Sequence, residues 1–153
     1  MRFRLLLLCL ATFVSAQRYG QYHDLIMKAS REAKIPASLL AGLLYAESEG
    51  VASCTSERRA DGYRDEGIAQ LNSRYLPYFA WKFNKGKKVD PYSPAQAIPV
   101  AARILKFNYA YFGDWVEAIA AYRQGITGIL NNGVTHISAL YVDKVLQKGY
   151  LLE

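Results

Sequence analysis

Between Pro36 and Gly50 the chain carries an uncharged run, Ser38-Leu39-Leu40-Ala41-Gly42-Leu43-Leu44-Tyr45-Ala46, and then places Glu47-Ser48-Glu49 at its end. Leu39, Leu40, Leu43 and Leu44 recur at helical spacing, so the segment predicts a helix from Pro36, in its first turn, to about Ser48, with Gly50 as the stop. A helix this apolar must be covered by other elements. A carboxylate at its inner end loses hydration, which is costly, and groups kept at such a cost are candidates for chemistry. Glu47 continues the face of Leu40, Leu43 and Leu44, whereas Glu49, two residues on, points to a different side. Glu47 is therefore the candidate acid.

The rest of the chain supplies helices to cover it. Leu25, Ile26, Ala29 and Ala33 predict a helix over about Tyr22 to Ala33. Ser73 to Phe83 reads as an aromatic helix started or interrupted by Pro77. Ser93 as cap and Pro94 as first residue open a longer helix, with Ala97, Val100, Ala101, Ile104, Leu105 and Asn108 along one side. Asp114 caps a helix over Trp115 to Arg123 that Gly125 ends, and Thr135 caps a last one running through Leu140, Val142 and Leu146 to Lys148. The stretch 51–67 is rich in Ser, Thr, Arg, Asp and Gly and has no helical period. It reads as a long loop or a small hairpin, a feature that is often functional in a compact domain. No β-pattern, repeat or low-complexity tract stands out, so the expected class is all-α.

At 153 residues the chain suits a single domain. Arg2 and Arg4, the apolar Leu5 to Val14, and the small residues of Val14-Ser15-Ala16 have the form of a signal peptide, 1–16, leaving 17–153 as the mature domain. The apolar run is too short for an ordinary membrane-spanning helix. Export to a bacterial periplasm or the extracellular space is expected, as a monomer with no stable membrane insertion after cleavage. Cys54 is then the lone cysteine and reads as a small buried hydrophobe or incidental thiol. Together with His23 and His136 it is too little for a zinc site, and no metal or other cofactor is expected. Without Arg2 and Arg4 there are 17 basic and 13 acidic residues, a net charge of +4, which suits an anionic wall polymer. Lys82, Lys85, Lys87 and Lys88 read as a solvated loop, and no nucleic-acid motif is present. The 12 tyrosines exceed what a dry core needs, and pyranose rings stack on such side chains.

Three segments now stand in order: Glu47-Ser48, then Gly67-Ile68-Ala69-Gln70-Leu71 with Asn72, then Ala121-Tyr122-Arg123-Gln124-Gly125. Together they resemble the soluble lytic transglycosylase domain of the goose-type lysozyme-like group, which has a helix ending in Glu-Ser, a G-L-M-Q-(I/L) segment and an A-Y-N-x-G segment. The resemblance spans about Tyr22 to Leu146 and implies a lysozyme-like helical fold acting on peptidoglycan strands. It implies cleavage of the β-1,4 bond between N-acetylmuramic acid and N-acetylglucosamine without water, leaving a 1,6-anhydro product. By the same resemblance Glu47 is acid and then base. Ser48 beside it contacts substrate or positions the loop, Gln70 binds substrate, Asn72 lines the cleft, and the Tyr122 hydroxyl approaches and steadies Glu47.

Burial fits this chemistry independently, because it raises a carboxyl pKa and keeps a proton available for the leaving oxygen. Three departures stand against the pattern, the first being the charged stretch between Glu47 and Gly67, with Cys54, Arg58 and Arg59. Arg123 occupies the place of the asparagine and, if close, would favour ionised Glu47; either it points away or it binds a substrate carboxylate. Ile137 stands where a glutamate is expected, although Tyr141-Val142 follows as in the family. Two other readings remain open: a muramidase that hydrolyses the same bond with Asp65 or Glu66 as base, and a non-catalytic peptidoglycan-binding module.

Overall fold

A computed structural model describes residues 20–149, and the expected signal peptide lies outside them. The first helix, α1, covers 20–33. It is followed by α2 (Ala37–Ser48), a two-stranded ribbon of β1 (Asp65–Glu66) and β2 (Leu71–Asn72), a 3-10 turn (Ser73–Tyr75), α3 (Leu76–Phe83), α4 (Pro94–Phe112), α5 (Trp115–Gln124), α6 (Ile126–Asn132) and α7 (His136–Lys148). The fold is all-α apart from that ribbon. Among the described residues no helix is long and apolar enough to cross a membrane.

Helix α2 runs through the centre. Leu40, Leu43 and Leu44 are fully buried, and among the elements from α2 onward α7 packs most extensively along the helix. The approach is close because residue 42 is glycine: a Cβ there would lie 2.0 Å from the Val145 carbonyl oxygen. Burying a leucine contributes about 1.5–3 kcal/mol, so these three outweigh a carboxylate that is costly to ionise at the end of the same helix. Pro36 is the N-cap of α2 in extended conformation rather than a first-turn residue. The helix ends at Ser48, and its C-cap is Glu49, left-handed (φ 53°) with its N–H bonded to the Tyr45 carbonyl. Glu49 is exposed.

Asp114 and Thr135 cap as expected, accepting from the N–H groups of Glu117 and Ser138. Ser93 flanks α4 without a side-chain cap bond. The hairpin lies at 65–72, overlapping only the end of the 51–67 stretch. Its register is Asp65 to Asn72 and Glu66 to Leu71, with Thr55 bridging to Glu66. The turn is therefore the Gly67-Ile68-Ala69-Gln70 segment itself. Gly67 has φ 77°, and a Cβ there would meet the Pro91 carbonyl oxygen at 1.7 Å, so both the backbone angle and the close approach require glycine. On α7 the buried side is Ser138, Tyr141, Val142 and Val145, while Leu140 and Leu146 are exposed.

Candidate active site

Glu47, at the last turn of α2, reaches the floor of a cleft of about 850 Å³. The hairpin residues Asp65, Gln70 and Asn72 form one side. The aromatics Tyr75, Tyr78, Phe79 and Phe83, with Phe107 from α4, form a wall, and residues 121–128 of α5 and α6 close the far side. Rings in that wall contact one another, with Tyr75 to Phe79 and Phe83 to Phe107 centroids 6.2 and 5.8 Å apart. Tyr75 and Tyr78 remain half exposed, so their faces are open to a flat apolar ligand such as a sugar ring.

One edge of the Glu47 side chain opens to the cleft while the rest is enclosed by protein. Burial raises its pKa from 4.5 to about 7, and the nearby negative charge of Asp65 adds to the rise. Three effects oppose it: a hydrogen bond from Tyr141 and the positive charges of Arg123 and Lys144. Desolvation is the largest effect, so Arg123 tempers the acid without abolishing it.

The hydrogen bond to Glu47 comes from Tyr141, while Tyr122 lies near enough to feel the Glu47 charge. The Tyr141 hydroxyl on α7 donates to Glu47 Oε1 at 2.5 Å. The Tyr122 hydroxyl instead donates to the Ala69 carbonyl at 2.9 Å, tying α5 to the hairpin turn. Burial raises the pKa of both phenols well above the ordinary value, so both stay protonated donors at neutral pH. Tyr141 carried a local signal, the Tyr-Val pair on the last helix, but nothing local shows that α7 crosses α2 at Glu47.

Ser48 is buried and does not line the cleft. Its hydroxyl lies 2.7 Å from the Ile68 carbonyl and 3.3 Å from the Leu44 carbonyl, which ties the end of α2 to the hairpin turn. Gln70 lines the cleft with φ 47°, and its Nε2 is held by the carbonyls of Gly67 and Cys54 at 2.8 and 3.2 Å. Its free offering is therefore the Oε1 acceptor. Asn72 also lines the cleft, but its amide is committed: Oδ1 caps the Arg74 N–H and Nδ2 donates to Asp65. Gln124 donates to the carbonyls of Gly128 and Gly133, and its Oε1 accepts from Thr135 N and Oγ1. It thereby fixes α6, a short helix that Gly125 hides in the sequence by reading as a stop.

The two candidate bases differ. Asp65 lines the cleft with both oxygens engaged, one by the Arg59 guanidinium and the other by Asn72 Nδ2 at 2.9 Å. Glu66 is buried outside the cleft and paired with Arg64 Nε at 2.7 Å. Ile137 is 61% exposed on the outer side of α7 and contributes nothing to the cleft.

A helical domain with one desolvated carboxyl at the floor of an aromatic-walled groove belongs to the lysozyme-like class. Within it, the chain belongs to the transglycosylase SLT domain family, whose model matches residues 24–136. No curated protein and no solved structure matches the chain. Membership makes peptidoglycan glycan strands the substrate class and glycosidic-bond cleavage of the lytic transglycosylase type the general activity. Tyr141 lies just beyond the matched segment.

Proposed function

We propose that this protein is an exported, monomeric peptidoglycan lytic transglycosylase that cleaves the β-1,4 bond between N-acetylmuramic acid and N-acetylglucosamine, with Glu47 as its only acid and base. The observation that carries this reading is the pairing of a protonatable Glu47 with an Asp65 whose two oxygens are already taken. An inverting hydrolase needs a second carboxylate poised to activate water, and Asp65 already has one lone pair of each oxygen committed, to Arg59 and to Asn72.

A carboxyl group with a pKa near the working pH serves both directions of proton transfer. Neutral Glu47 gives its proton to the bridging oxygen as the glycosidic bond breaks. The neighbouring N-acetyl oxygen of the substrate stabilises the cationic sugar carbon. Glu47, now a carboxylate, takes the proton of the 6-hydroxyl as that oxygen closes on the same carbon. The proton count balances, no water enters, and the product carries a 1,6-anhydro ring. Tyr141 orients the carboxyl group and eases its ionised stage. Gln70 Oε1 accepts from a sugar N–H or hydroxyl, Asn72 lines the rim, and Tyr122 and Ser48 hold the turn that presents Gln70.

Mass spectrometry of digested wall sacculi tests the reading. Anhydro ends, lighter by one water than reducing ends, are expected from wild type and absent with Glu47→Gln. Products with only reducing ends would instead support hydrolysis with Asp65 as base. No turbidity loss with the wild-type protein would favour a binding module.

A further inference from the structure

We propose that Arg123 is a specificity residue: it pairs with a carboxylate on the glycan, so that the cleft selects strands carrying an anion close to the bond being cut. The inference rests on the peptidoglycan reading above for its ligand.

Arg123 lies in the last turn of α5, is exposed and lines the cleft. Its guanidinium carbon stands 5.9 Å from the centroid of the Tyr141 ring, the same ring whose hydroxyl holds Glu47. An anion bound there sits one tyrosine away from the acid. The other arginine of the cleft, Arg59, is consumed by Asp65. Arg64 is consumed by Glu66, and Arg103 donates to the Phe83 carbonyl. Among the described residues no carboxylate stands within ion-pair distance of Arg123.

Packing alone does not account for this residue. The cation–π contact with Tyr141 favours a cation here only weakly, and it uses none of the guanidinium N–H groups. The charge also works against the acid beside it, since Arg123 favours ionised Glu47. Both facts fit a guanidinium that stands beside the Tyr141 ring with its fork of N–H donors not engaged by any described residue, a fork that matches a carboxylate in two parallel hydrogen bonds. When such a carboxylate docks, its charge cancels the positive field on Glu47, so the strand restores the acid as it binds. Two groups on peptidoglycan carry the required chemistry. One is the lactyl carboxylate of strands stripped of peptides, and the other is a carboxylate of the stem peptide on intact strands.

Calorimetric titration tests the proposal with the Glu47→Gln protein, which cannot turn the strand over, and with Glu47→Gln carrying Arg123→Gln as well. The probes are purified peptide-stripped strands and peptide-bearing strands, each with carboxylates free or converted to methylamides. Blocking the carboxylates is expected to weaken binding to Glu47→Gln about tenfold in one strand class, a modest value for a charge-assisted pair at an open site. The second substitution is expected to erase that difference, and the responding class identifies the carboxylate. Equal affinity for free and blocked strands overturns the role of Arg123 while leaving the enzyme reading intact. A carboxylate dependence that survives Arg123→Gln also overturns it, by placing the anion site elsewhere. Failure of Glu47→Gln to bind any strand overturns the peptidoglycan reading and this proposal together.

Discussion

Replacing Glu47 with glutamine removes a group that the folded protein holds comfortably only in its neutral form. The unfolded chain ionises Glu47 near 4.5, whereas the folded chain delays ionisation to about 7. Between those values the native state keeps a proton that the unfolded state releases, so stability falls as pH rises. The contribution of Glu47 is fully present below 4.5 and lost above about 7. At ~1.36 kcal/mol per pH unit the full window corresponds to ~3 kcal/mol, and access of water from the cleft reduces this to about 2 kcal/mol. Glutamine keeps an acceptor for Tyr141 and does not titrate. Urea denaturation of both proteins from pH 4 to pH 8 should therefore show Glu47→Gln gaining about 2 kcal/mol relative to wild type across that range, or roughly 8 °C in Tm for a domain of this size. Parallel stability curves would refute the reasoning, because they would mean that Glu47 titrates as an ordinary exposed carboxylate and cannot serve as an acid at neutral pH.

Other outcomes follow from the same contacts. Tyr141→Phe removes a donor that favours ionised Glu47, so the alkaline limb of the kcat/KM profile on sacculi should move to higher pH. The rate at the optimum should fall about 10- to 100-fold, and an unmoved profile would separate Tyr141 from the acid. Tyr122→Phe leaves the Ala69 carbonyl without its donor, costing about 1–2 kcal/mol in denaturant titrations and weakening activity without unfolding the domain; an unchanged rate would show that the turn does not depend on it. Gly67→Ala forces a Cβ into the Pro91 carbonyl at a left-handed backbone, and a loss above about 3 kcal/mol is expected by calorimetry, with a near-native Tm contradicting the packing. Gly42→Ala should behave similarly by pushing α7 away from α2, and circular dichroism melts would reveal its failure to do so.

Most of the helices could be read locally because their signals are local. Apolar spacing marks α2 and α4, Pro94 opens α4, and the hydroxyl and carboxylate caps of Thr135 and Asp114 satisfy N–H groups only three residues away. Where the structure departs from these local signals, the causes are equally physical. Gly125 ends one helix and begins the next, so α6 was hidden behind a stop signal. The hairpin is not legible in the sequence because strands of two residues are too short to show alternation. Leu140 and Leu146 follow the chemistry of a core but face solvent, because Gly42 brings α7 onto α2 along its Tyr141 and Val145 side.

The site divides in the same way. Glu47 could be singled out from its own helix, since a carboxylate closing a leucine run will lose water whatever covers it. Arg123 was visible as a departure in sequence, but its direction was not. Whether Ser48 faces sugar or loop, which tyrosine meets the carboxyl, and which acidic residue is left free were decided only by the tertiary structure. Each depends on a contact between distant parts of the chain: Ser48 with Ile68, Tyr122 with Ala69, and Tyr141 with Glu47 across 94 positions. Desolvation of the acid is a property its own helix announces. The hydrogen bonds that tune it come from helices whose crossing is set by packing, and packing is written in no single segment.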